Sequence, residues 1–569
     1  MAHRGQDAPG YNARVTVEQH LRAAREHKDA GRFAQAALEY VEALRQEPHR
    51  KSAYLDLAYC LQVQNRYADA ANVCLSALKI DSNFVEALGN LGNLSHYMDK
   101  PDDAIGYLER AIAIEPTFAQ LQNSLGTVYK EIGRLDQAIR CYETAQSLRP
   151  SAGVASNLLY ARLFAAPENA RELFEAHASW SRQFAPPGLR RFDHSRHSRG
   201  QRLRVGYVSP NFKSHAVNFF VEPIILHHDR STTELFLYSD VPGRGDAITE
   251  KLRNASEHWR DTSAMSDDQL AEAVHSDRVD VLVDLTGHIA GARLLAFARR
   301  PAPVQVTYIG YQFTTGLAEM DFRLTDEIAD PPGQTDEFYS EKLWRLPDCF
   351  FCYRPPSASY DVGPLPADSN GFVTFGCQNN FAKICARTFV VWTELLNAVP
   401  DSKLAILIPM SQWSMRNTTD ALQTAGIDPS RLIVLRRSNR RDYLNRYNQI
   451  DIALDPIPFN GHTTTCDAMW MGVPVVTRLG TQYVSRYGSS AVINAGFSQM
   501  VAQDDADYVR IAAKLATDGT QLRELRSTLR SKFTCSIVCN HAGFVRRLEE
   551  AYAQMWDQRM GNARTSIAG

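Results

Sequence analysis

The sequence predicts an α-helical solenoid followed by two Rossmann-like α/β domains. Three observations support this fold class. The first third of the chain has a 34-residue periodicity, the rest contains two sets of short apolar strands alternating with helices, and a threonine-rich loop follows a strand in the second set. At 569 residues the chain is far longer than one hydrophobic core usually supports, so several domains are expected.

The N-terminal third repeats itself when it is aligned every 34 residues. Two columns of the repeat contain only alanine, a turn column contains Gly, Asn or Asp, and a terminator column is mostly proline. These columns are Ala36, Ala70, Ala104 and Ala138; Ala43, Ala77, Ala111 and Ala145; Gly31, Asn65, Asp99 and Gly133; and Pro48, Ser82, Pro116 and Pro150. This is the tetratricopeptide pattern, in which small side chains let paired helices pack closely and the units stack into a concave solenoid.

We expect the solenoid to span residues 1–185. Residues 153 to about 185 keep a helical pattern but lose the columns, which predicts a degenerate last repeat that caps the stack. A concave helical surface predicts a cradle for a peptide or protein; a dimerisation or spacer module is the alternative.

Short apolar strands alternate with helices in the remainder of the chain. We predict domain limits of 186–365 and 366–569 from two proline-rich segments. The first segment is at 186–188 and is followed by a basic run at 190–202, and the second is at 364–366. The predicted strands are residues 203–208, 235–238, 279–285, 304–309 and 322–324 in the first domain, and 372–375, 403–408, 432–435, 450–454 and 473–477 in the second. We expect the strand at 322–324 to lie at the edge of its sheet. Such alternation predicts parallel sheets with helices on both faces.

Two such domains in tandem bind ligands in a cleft at the carboxyl ends of their strands. The candidate segments therefore directly follow the strands: 209–215, 284–288, 310–311 and 314–316 in the first domain, and 378–383, 436–443 and the loop from Gly461 in the second. His215 and His288 are also compatible with packing roles, and Lys383 with that of a solvated lysine at a helix start.

Residues 460–467, with the sequence Asn-Gly-His-Thr-Thr-Thr-Cys-Asp, are the most informative stretch. They lie between the strand at 450–454 and a short predicted helix at 468–471. Free backbone N–H groups at a helix start bind anions, and the three threonines add hydroxyl donors. The pattern predicts a diphosphate site with Asp467 placed to bind ribose hydroxyls. Ordinary capping by Asn and Thr is the alternative.

The composition argues against several other classes of protein. The net charge of −2 leaves no nucleic-acid-binding footprint. No apolar run approaches the ~18 residues of a membrane-spanning helix. The first residues, 1–11, are polar and do not resemble a secretory signal, so we expect a cytoplasmic protein.

The cysteines do not predict a metal site. Of the 10 cysteines, Cys349 and Cys352 form one C-x-x-C pair, and Cys535 and Cys539 are spaced one residue wider. Four-ligand zinc sites need two closely spaced pairs, so we expect no metal and reduced thiols.

The sequence resembles the O-linked N-acetylglucosamine transferases, which join a tetratricopeptide solenoid to a GT-B catalytic region. The resemblance covers about residues 30–560, and the short solenoid is most similar to that of a bacterial homologue. The matching segments are 207–209 with His215, 300–305, 339–343, 380–384, and 454–455 with 460–464. The resemblance implies transfer of GlcNAc from UDP-GlcNAc to Ser or Thr of proteins. Acceptor proteins or peptides would bind the solenoid, and a homo-oligomer is possible.

The resemblance also implies roles for individual residues. Lys383 would contact the UDP diphosphate, with Asn380 nearby in place of a family glutamine. His215 falls where the family has a histidine that faces acceptor and sugar. The remaining implied contacts are to phosphate and sugar by His462, Thr463 and Thr464, and to ribose by Asp467.

Two further positions and one segment depart from the family pattern. Tyr443 replaces the histidine that stacks on uracil, and Arg440 replaces a nearby lysine. An aromatic face is kept at the first of these positions, so stacking is still expected. The family segment Gly-Tyr-Thr-Lys-Gly reads Gly-His-Ile-Ala-Gly at residues 287–291, which changes the acceptor side.

We expect an inverting, metal-independent reaction. Lys383 and the helix start at residues 463–465 would stabilise the leaving diphosphate, and His215 would either accept the proton of the acceptor hydroxyl or orient that hydroxyl. The Asp505-Ala506-Asp507 triplet is interpreted as the acidic start of a helix rather than a metal ligand set.

Two other functions fit the same sequence. One is an inactive tetratricopeptide scaffold that still binds UDP. The other is a different GT-B enzyme, such as a UDP-GlcNAc epimerase or a small-molecule glycosyltransferase. The sequence also leaves open whether GlcNAc or a related sugar is the donor.

Overall fold

The computed structural model describes residues 15–166, 168–186, 188–189, 192–194, 197–356 and 360–567. The polar start of the chain and parts of the predicted first boundary, including Pro187, lie outside the described residues. The chain divides into two compact units, one up to Val128 and one from Tyr129 onward. The predicted domain limits at 185 and 365 both lie within the second unit, and we keep them as a proposal for its functional division.

Paired helices form the N-terminal part of the chain. They are α1 (Val17–Asp29), α2 (Phe33–Gln46), α3 (Lys51–Val63), α4 (Tyr67–Ile80), α5 (Val85–Tyr97), α6 (Pro101–Ile114) and α7 (Ala119–Glu131), the last of which contains the unit boundary. The tetratricopeptide prediction is confirmed, because all eight column alanines are buried. All four turn-column residues have positive φ, the conformation that Gly, Asn and Asp adopt most readily.

Three more helices precede the sheets in the second unit. They are α8 (Leu135–Leu148), α9 (Ala152–Ala165) and α10 (Ala170–Phe184). The last two form the helix pair predicted for the degenerate repeat. We call α9 and α10 the cap helices.

The first sheet has seven parallel strands in the order β3-β2-β1-β4-β5-β6-β7. The strands are β1 (Leu203–Ser209), β2 (Thr233–Ser239), β3 (His258–Asp261), β4 (Val281–Asp284), β5 (Val304–Thr307), β6 (Phe322–Thr325) and β7 (Lys342–Arg345). The helices around it are α11 (Asn218–His227), α12 (Ala247–Ala255), α13 (Asp267–Ser276) and α14 (Leu294–Ala298). We call residues 203–345 the first lobe.

The second sheet has six parallel strands in the order β10-β9-β8-β11-β12-β13. The strands are β8 (Thr374–Cys377), β9 (Lys403–Leu407), β10 (Leu432–Leu435), β11 (Ile452–Leu454), β12 (Val475–Arg478) and β13 (Val501–Ala502). We call residues 366–539 the second lobe and residues 346–365 the connecting segment.

Helices cover the second sheet. They are α15 (Pro366–Asn370), α16 (Ala386–Ala398), α17 (Gln412–Thr424), α18 (Arg440–Asn445), α19 (Thr463–Trp470), α20 (Tyr487–Asn494), α21 (Asp505–Thr517) and α22 (Gly519–Thr534). The helix that follows them is α23 (His541–Ile567). Short 3-10 helices span Asp336–Phe338, Phe381–Lys383, Pro429–Arg431, Arg446–Gln449, Tyr483–Ser485, Ser498–Met500 and Ile537–Cys539. The last helix returns to the first lobe, where the Glu549 carboxylate bonds His228 Nδ1 at 2.8 Å.

All ten predicted strands are present, and three further strands were not predicted. These are β3, β7 and β13, each at an edge of its sheet. The edge position expected for residues 322–324 was wrong, because β7 pairs with β6 and takes the edge. Edge strands are only partly buried, so β3 (His-Trp-Arg-Asp) and β7 (Lys-Leu-Trp-Arg) lack the apolar run by which the central strands were recognised. β13 has only two residues.

The strand order places the candidate segments together. In the first sheet the order reverses between β1 and β4, and in the second between β8 and β11. Ligands of open α/β sheets bind at such switch points, beyond the carboxyl ends of the strands. The loops at these ends begin at residues 210, 285, 378 and 455. No helix in the described part of the chain is long and apolar enough to cross a membrane.

Candidate functional site

The threonine-rich loop leads directly into α19. The helix starts at Thr463, five residues earlier than predicted, so all three threonines lie in its first turn. His462 occupies the N-cap position and makes no side-chain capping bond. Thr463 and Thr464 are half-buried, and the Thr464 hydroxyl donates to Asn379 Oδ1 at 3.0 Å. The first turn therefore offers backbone N–H groups to an anion.

Lys383 reaches this loop from the end of β8. Its Nζ donates to the backbone oxygen of Asn460 at 2.6 Å and to the Tyr487 hydroxyl at 3.2 Å. The ammonium group also lies 4.7 Å from the centre of the Phe459 ring. Burial lowers the pKa of Lys383, and the negative charge of Asp455 opposes this shift. The atoms that bond Nζ are neutral, so the lysine can still neutralise a ligand's charge.

His462 is held between aromatic rings from different parts of the chain. Its ring stacks on Phe220 of α11 at 4.2 Å and on Phe350 of the connecting segment at 5.7 Å. Burial, reinforced by the positive charge of Lys383, lowers the pKa of His462 to about 3. Its Nε2 is buried and bonds no atom of the described residues. A neutral imidazole with an unbonded nitrogen can bond a polar group of a ligand.

Asp467 is completely buried, and both carboxylate oxygens are already bonded. Arg440 forms two bonds of 2.6 Å to it, one to each oxygen. The hydroxyl of Tyr353 donates to Oδ1. Burial opposes the charge of Arg440, but Asp467 outweighs it and raises the pKa of the guanidinium. A ribose contact by Asp467 therefore requires the Arg440 ion pair to rearrange.

Arg440 and Tyr443 occupy one face of α18. The guanidinium lies 4.3 Å from the ring centre of Phe219 and 5.3 Å from that of Tyr443. The Tyr443 hydroxyl shares a hydrogen bond of 3.0 Å with Tyr447. The Tyr443 ring is half-buried and lies beside Arg440.

Asn380 and Asn379 have different environments. Asn380 is exposed, and its side chain accepts from Ala382 N at 3.0 Å, which caps the 3-10 helix that carries Lys383. Asn379 is buried and bonds Thr464 in the first turn of α19. Asn379 was not among the predicted binding residues, although it lay within the candidate segment 378–383.

His215 lies after β1 on the first-lobe side. Its side chain reaches solvent, yet burial of the ring lowers its pKa and the nearby Lys213 lowers it further. Its Nδ1 accepts from the backbone N–H of Val217 at 3.3 Å. The segment continues into α11, which contributes Phe219 and Phe220 to the contacts with the second lobe. His215 thus lies on the segment that leads into α11, and α11 contacts the threonine-rich loop through Phe220 and His462.

His288 does not face the cleft. It is buried, with Nδ1 2.9 Å from the Ser156 hydroxyl and Nε2 2.8 Å from the backbone oxygen of Thr315. Its ring packs edge-on against Trp180 of α10 at 4.7 Å. The packing alternative is the correct one for this histidine.

The cap helices contact the strand-end loops of both lobes. Phe164 of α9 stacks on Phe459, with ring centres 4.7 Å apart and planes 16° apart. Tyr160, one turn earlier, lies 5.9 Å from Tyr311 of the first lobe. The cap helices were expected only to end the solenoid, but Phe164 packs against the residue that precedes Asn460. No sequence signal indicated this pairing.

The acidic triplet starts a helix. Asp505 is the first residue of α21 and pairs with Arg387 and Arg478 at 2.8 Å each. Asp507, in the same turn, pairs with Arg510. In the described part of the chain, no group of three or more His, Cys, Asp or Glu side chains is arranged to hold a metal ion.

Comparison with known protein families identifies both parts of the chain. The profile described as glycosyl transferase family 41 matches residues 188–354 and 359–548. Tetratricopeptide repeat profiles match residues 21–83, 87–120 and 119–151.

Individual proteins resemble the chain over most of its length. A probable UDP-N-acetylglucosamine–peptide N-acetylglucosaminyltransferase SPINDLY from Oryza sativa is 40% identical over 394 residues, which are 68% of this chain and 42% of the relative. The UDP-N-acetylglucosamine–peptide N-acetylglucosaminyltransferase of Caenorhabditis elegans is 26% identical over 475 residues, covering 63% of this chain and 41% of the relative. The chain therefore spans less than half the length of these curated relatives.

A solved structure resembles nearly the whole fold. It is described as a mutant of the O-GlcNAc transferase from Thermobaculum terrenum, and it is 35% identical to this chain. The match has a TM-score of 0.83 and covers 90% of this chain and 98% of that chain. The tandem-lobe arrangement is thus that of a solved glycosyltransferase structure.

Proposed function

The chain belongs to glycosyl transferase family 41, and from this premise we propose that it transfers GlcNAc from UDP-GlcNAc to Ser or Thr hydroxyls of proteins. The observation that carries the proposal is that residues 460–463 bring together the carbonyl that Lys383 bonds, the imidazole of His462 with its unbonded Nε2, and the start of α19. A cation, backbone donors and a neutral imidazole together suit a sugar diphosphate.

Lys383 and the first turn of α19 stabilise the leaving group in this proposal. As the bond to the anomeric carbon breaks, negative charge accumulates on the diphosphate. The hydrogen bonds of Lys383 go to neutral oxygens, so no side-chain ion pair within the described residues has to break before its positive charge offsets that charge. Preorganised donors of this kind do not have to reorganise during the reaction. No metal ion is needed for this step.

His215 orients the acceptor hydroxyl in our proposal. Because Nδ1 accepts from Val217 N, the proton of the neutral ring is on Nε2. Nε2–H then donates to the acceptor or sugar oxygen, and the leaving diphosphate oxygen takes the hydroxyl proton. Attack from the face opposite the diphosphate gives inversion. The alternative, proton abstraction by His215, requires Nδ1 to lose its bond to Val217.

The nucleoside binds around α18 in this proposal. Tyr443 stacks on the base, and Arg440 lies beside it. Asp467 binds the ribose once Arg440 rearranges, while Asn380 lies at the diphosphate edge. His462, Thr463 and Thr464 hold phosphate and sugar. The tetratricopeptide helices recruit the acceptor protein, and the cap helices contact both lobes beside the cleft.

A donor-specific modification assay tests the proposal. The purified protein is incubated with a host lysate and UDP-GlcNAc, and peptides are sequenced by mass spectrometry. The expected result is N-acetylhexosamine on Ser or Thr that is lost in the Lys383→Ala variant. Parallel reactions use other UDP-sugars and GDP-linked sugars, because Arg440 and Tyr443 depart from the family's base site.

Each outcome has a defined meaning. If the protein modifies Ser or Thr only with a donor that has another base or another sugar, that donor would take the place of UDP-GlcNAc in the proposal. UDP binding without transfer from any donor would favour the inactive scaffold. Modification that persists unchanged in Lys383→Ala would contradict the assignment of Lys383.

A further inference from the structure

Asp455 is a buried carboxylate that the proposed reaction does not use. It directly follows β11 and is 1% exposed. Oδ1 accepts from the backbone N–H of Gly461, and Oδ2 accepts from the Thr477 hydroxyl at 2.7 Å. The carboxylate therefore links the threonine-rich loop to β12 through these two hydrogen bonds.

Two glycines let the backbone approach this carboxylate. A Cβ atom on Gly461 would lie 2.8 Å from Oδ1, and one on Gly488 would lie 2.5 Å from Oδ2. Distances this short are not tolerated between a carbon and a fixed oxygen, so any larger residue would displace the loop or the carboxylate. A Cβ on Gly461 would lie even closer to the Thr464 hydroxyl, so the backbone at Gly461 and Gly488 leaves no room for a side chain beside Asp455.

Asp455 and Lys383 bond the two sides of a single peptide group, the one that joins Asn460 to Gly461. Asp455 accepts from the N–H of Gly461, while Lys383 donates to the carbonyl of Asn460, the preceding residue. Burial raises the pKa of Asp455 and lowers that of Lys383, and each charge counteracts the shift of the other. The two groups are thus linked electrostatically as well as through the loop.

The other titratable groups around the pair are neutral near pH 7. Burial raises the pKa of Cys377 on β8 to about 12. Burial also raises the pKa of Tyr487 on α20 and of Tyr508 on α21 well above the ordinary value. His462 is neutral because its pKa is lowered to about 3. Burial raises the pKa of Asp455 itself to about 7, so within the described residues Asp455 is the group that supplies negative charge to Lys383 above neutral pH.

We infer that Asp455 is a positioning residue of the donor site: it fixes the peptide group between Asn460 and Gly461 and balances the positive charge of Lys383, so that the start of α19 and Lys383 meet the diphosphate together. This inference rests on the proposed function, because it assumes that the loop binds a nucleotide diphosphate. It adds a residue that makes no contact with the donor and acts through Lys383 and Gly461.

The pH dependence of UDP binding tests this role. Calorimetry from pH 6 to 10 measures the Kd of UDP for the full-length protein and for Asp455→Asn, which keeps the volume and removes the charge. Without the carboxylate, Lys383 loses its proton at a lower pH. The alkaline loss of affinity should therefore begin at least about one pH unit lower in the variant.

Asp451→Asn is the matched control. Asp451 is also buried and bonds two backbone N–H groups, those of Ala367 and Thr374, but it lies at the other end of β11. Its variant should show the wild-type pH profile. Asp455→Ser, a second neutral variant, covers the case in which Asp455→Asn does not fold.

The outcomes separate the inference from the function. A wild type that does not bind UDP would contradict the proposed function itself. If the wild type binds UDP but the affinity of Asp455→Asn falls at the same pH as that of the wild type, the electrostatic role is wrong. A variant that binds UDP more weakly by the same factor at every pH would have the same meaning. The inference would also be overturned if Asp455→Asn and Asp455→Ser both failed to fold while Asp451→Asn folded. Asp455 would then be needed for folding and not for positioning the donor site.

Discussion

Replacing Lys383 by methionine should abolish most catalysis without unfolding the protein. Methionine has a similar length and keeps the contact with Phe459, but it removes the positive charge and both hydrogen bonds. The loss of one preorganised electrostatic donor costs about 2.7–4 kcal/mol in the transition state, or ~10²–10³ in rate. We expect kcat/KM for UDP-GlcNAc to fall by this factor.

The stability of the same variant should change little. The two bonds of Nζ go to neutral oxygens, and each contributes about 1 kcal/mol. The lowered pKa of Lys383 shows that burial of its charge is unfavourable, which offsets part of this gain. Burial already raises the pKa of Asp455 to about 7, so this carboxylate takes up a proton near neutral pH when the charge of Lys383 is removed and does not stay as an unpaired buried charge. The free energy of unfolding in urea should therefore fall by less than about 2 kcal/mol.

Lys403→Met is the control for the loss of a lysine. Lys403 begins β9 in the same sheet and lies 4.4 Å from the Phe372 ring centre, at the strand end opposite the cleft. Both variants are assayed for UDP release in the presence of acceptor protein and for urea unfolding. Full kcat/KM in Lys383→Met, or an equal loss in Lys403→Met, would refute the reasoning.

Three further predictions concern the acceptor, the cap helices and the nucleoside site. His215→Ala should lower kcat but leave the shape of the pH–kcat profile unchanged; loss of an acid limb in the variant would instead assign proton abstraction to His215. Phe164→Ala should weaken UDP binding several-fold in calorimetry, because the stacked pair with Phe459 is worth about 0.5–1.5 kcal/mol beyond its burial; Phe184→Ala, which removes an aromatic contact with Trp180 inside the cap, should not. Arg440→Met should lower the free energy of unfolding by about 3–5 kcal/mol, because it leaves the buried Asp467 charge without its cation. Adding Asp467→Asn should recover most of this loss, and equal stabilities of the single and double variants would contradict the ion-pair argument.

Local sequence was sufficient where structure depends on backbone conformation. The turn column of the repeat predicted the positive φ values at Gly31, Asn65, Asp99 and Gly133, because few other residues adopt that conformation. The positions of the strand ends predicted the segments that contain Lys383, His215 and the threonine-rich loop, because parallel strands end at one edge of their sheet.

Partners that lie far apart in the chain could not be predicted. Arg440 and Tyr353 both bond the Asp467 carboxylate, and the bond from Tyr353 depends on how the connecting segment crosses the second lobe. The turn of His288 towards Ser156 depends on packing of α9, 132 residues away in sequence. Asp455 lay in a motif recognised by resemblance, but only the packing of Gly461 and Gly488 shows why a carboxylate is needed there.

A crystal structure of the protein with UDP tests the central claim most directly. We predict that the diphosphate oxygens lie within hydrogen-bonding distance of Lys383 Nζ and of the backbone N–H groups at the start of α19. UDP bound at another place, or in the cleft with both groups beyond about 4 Å of the phosphates, would contradict this account.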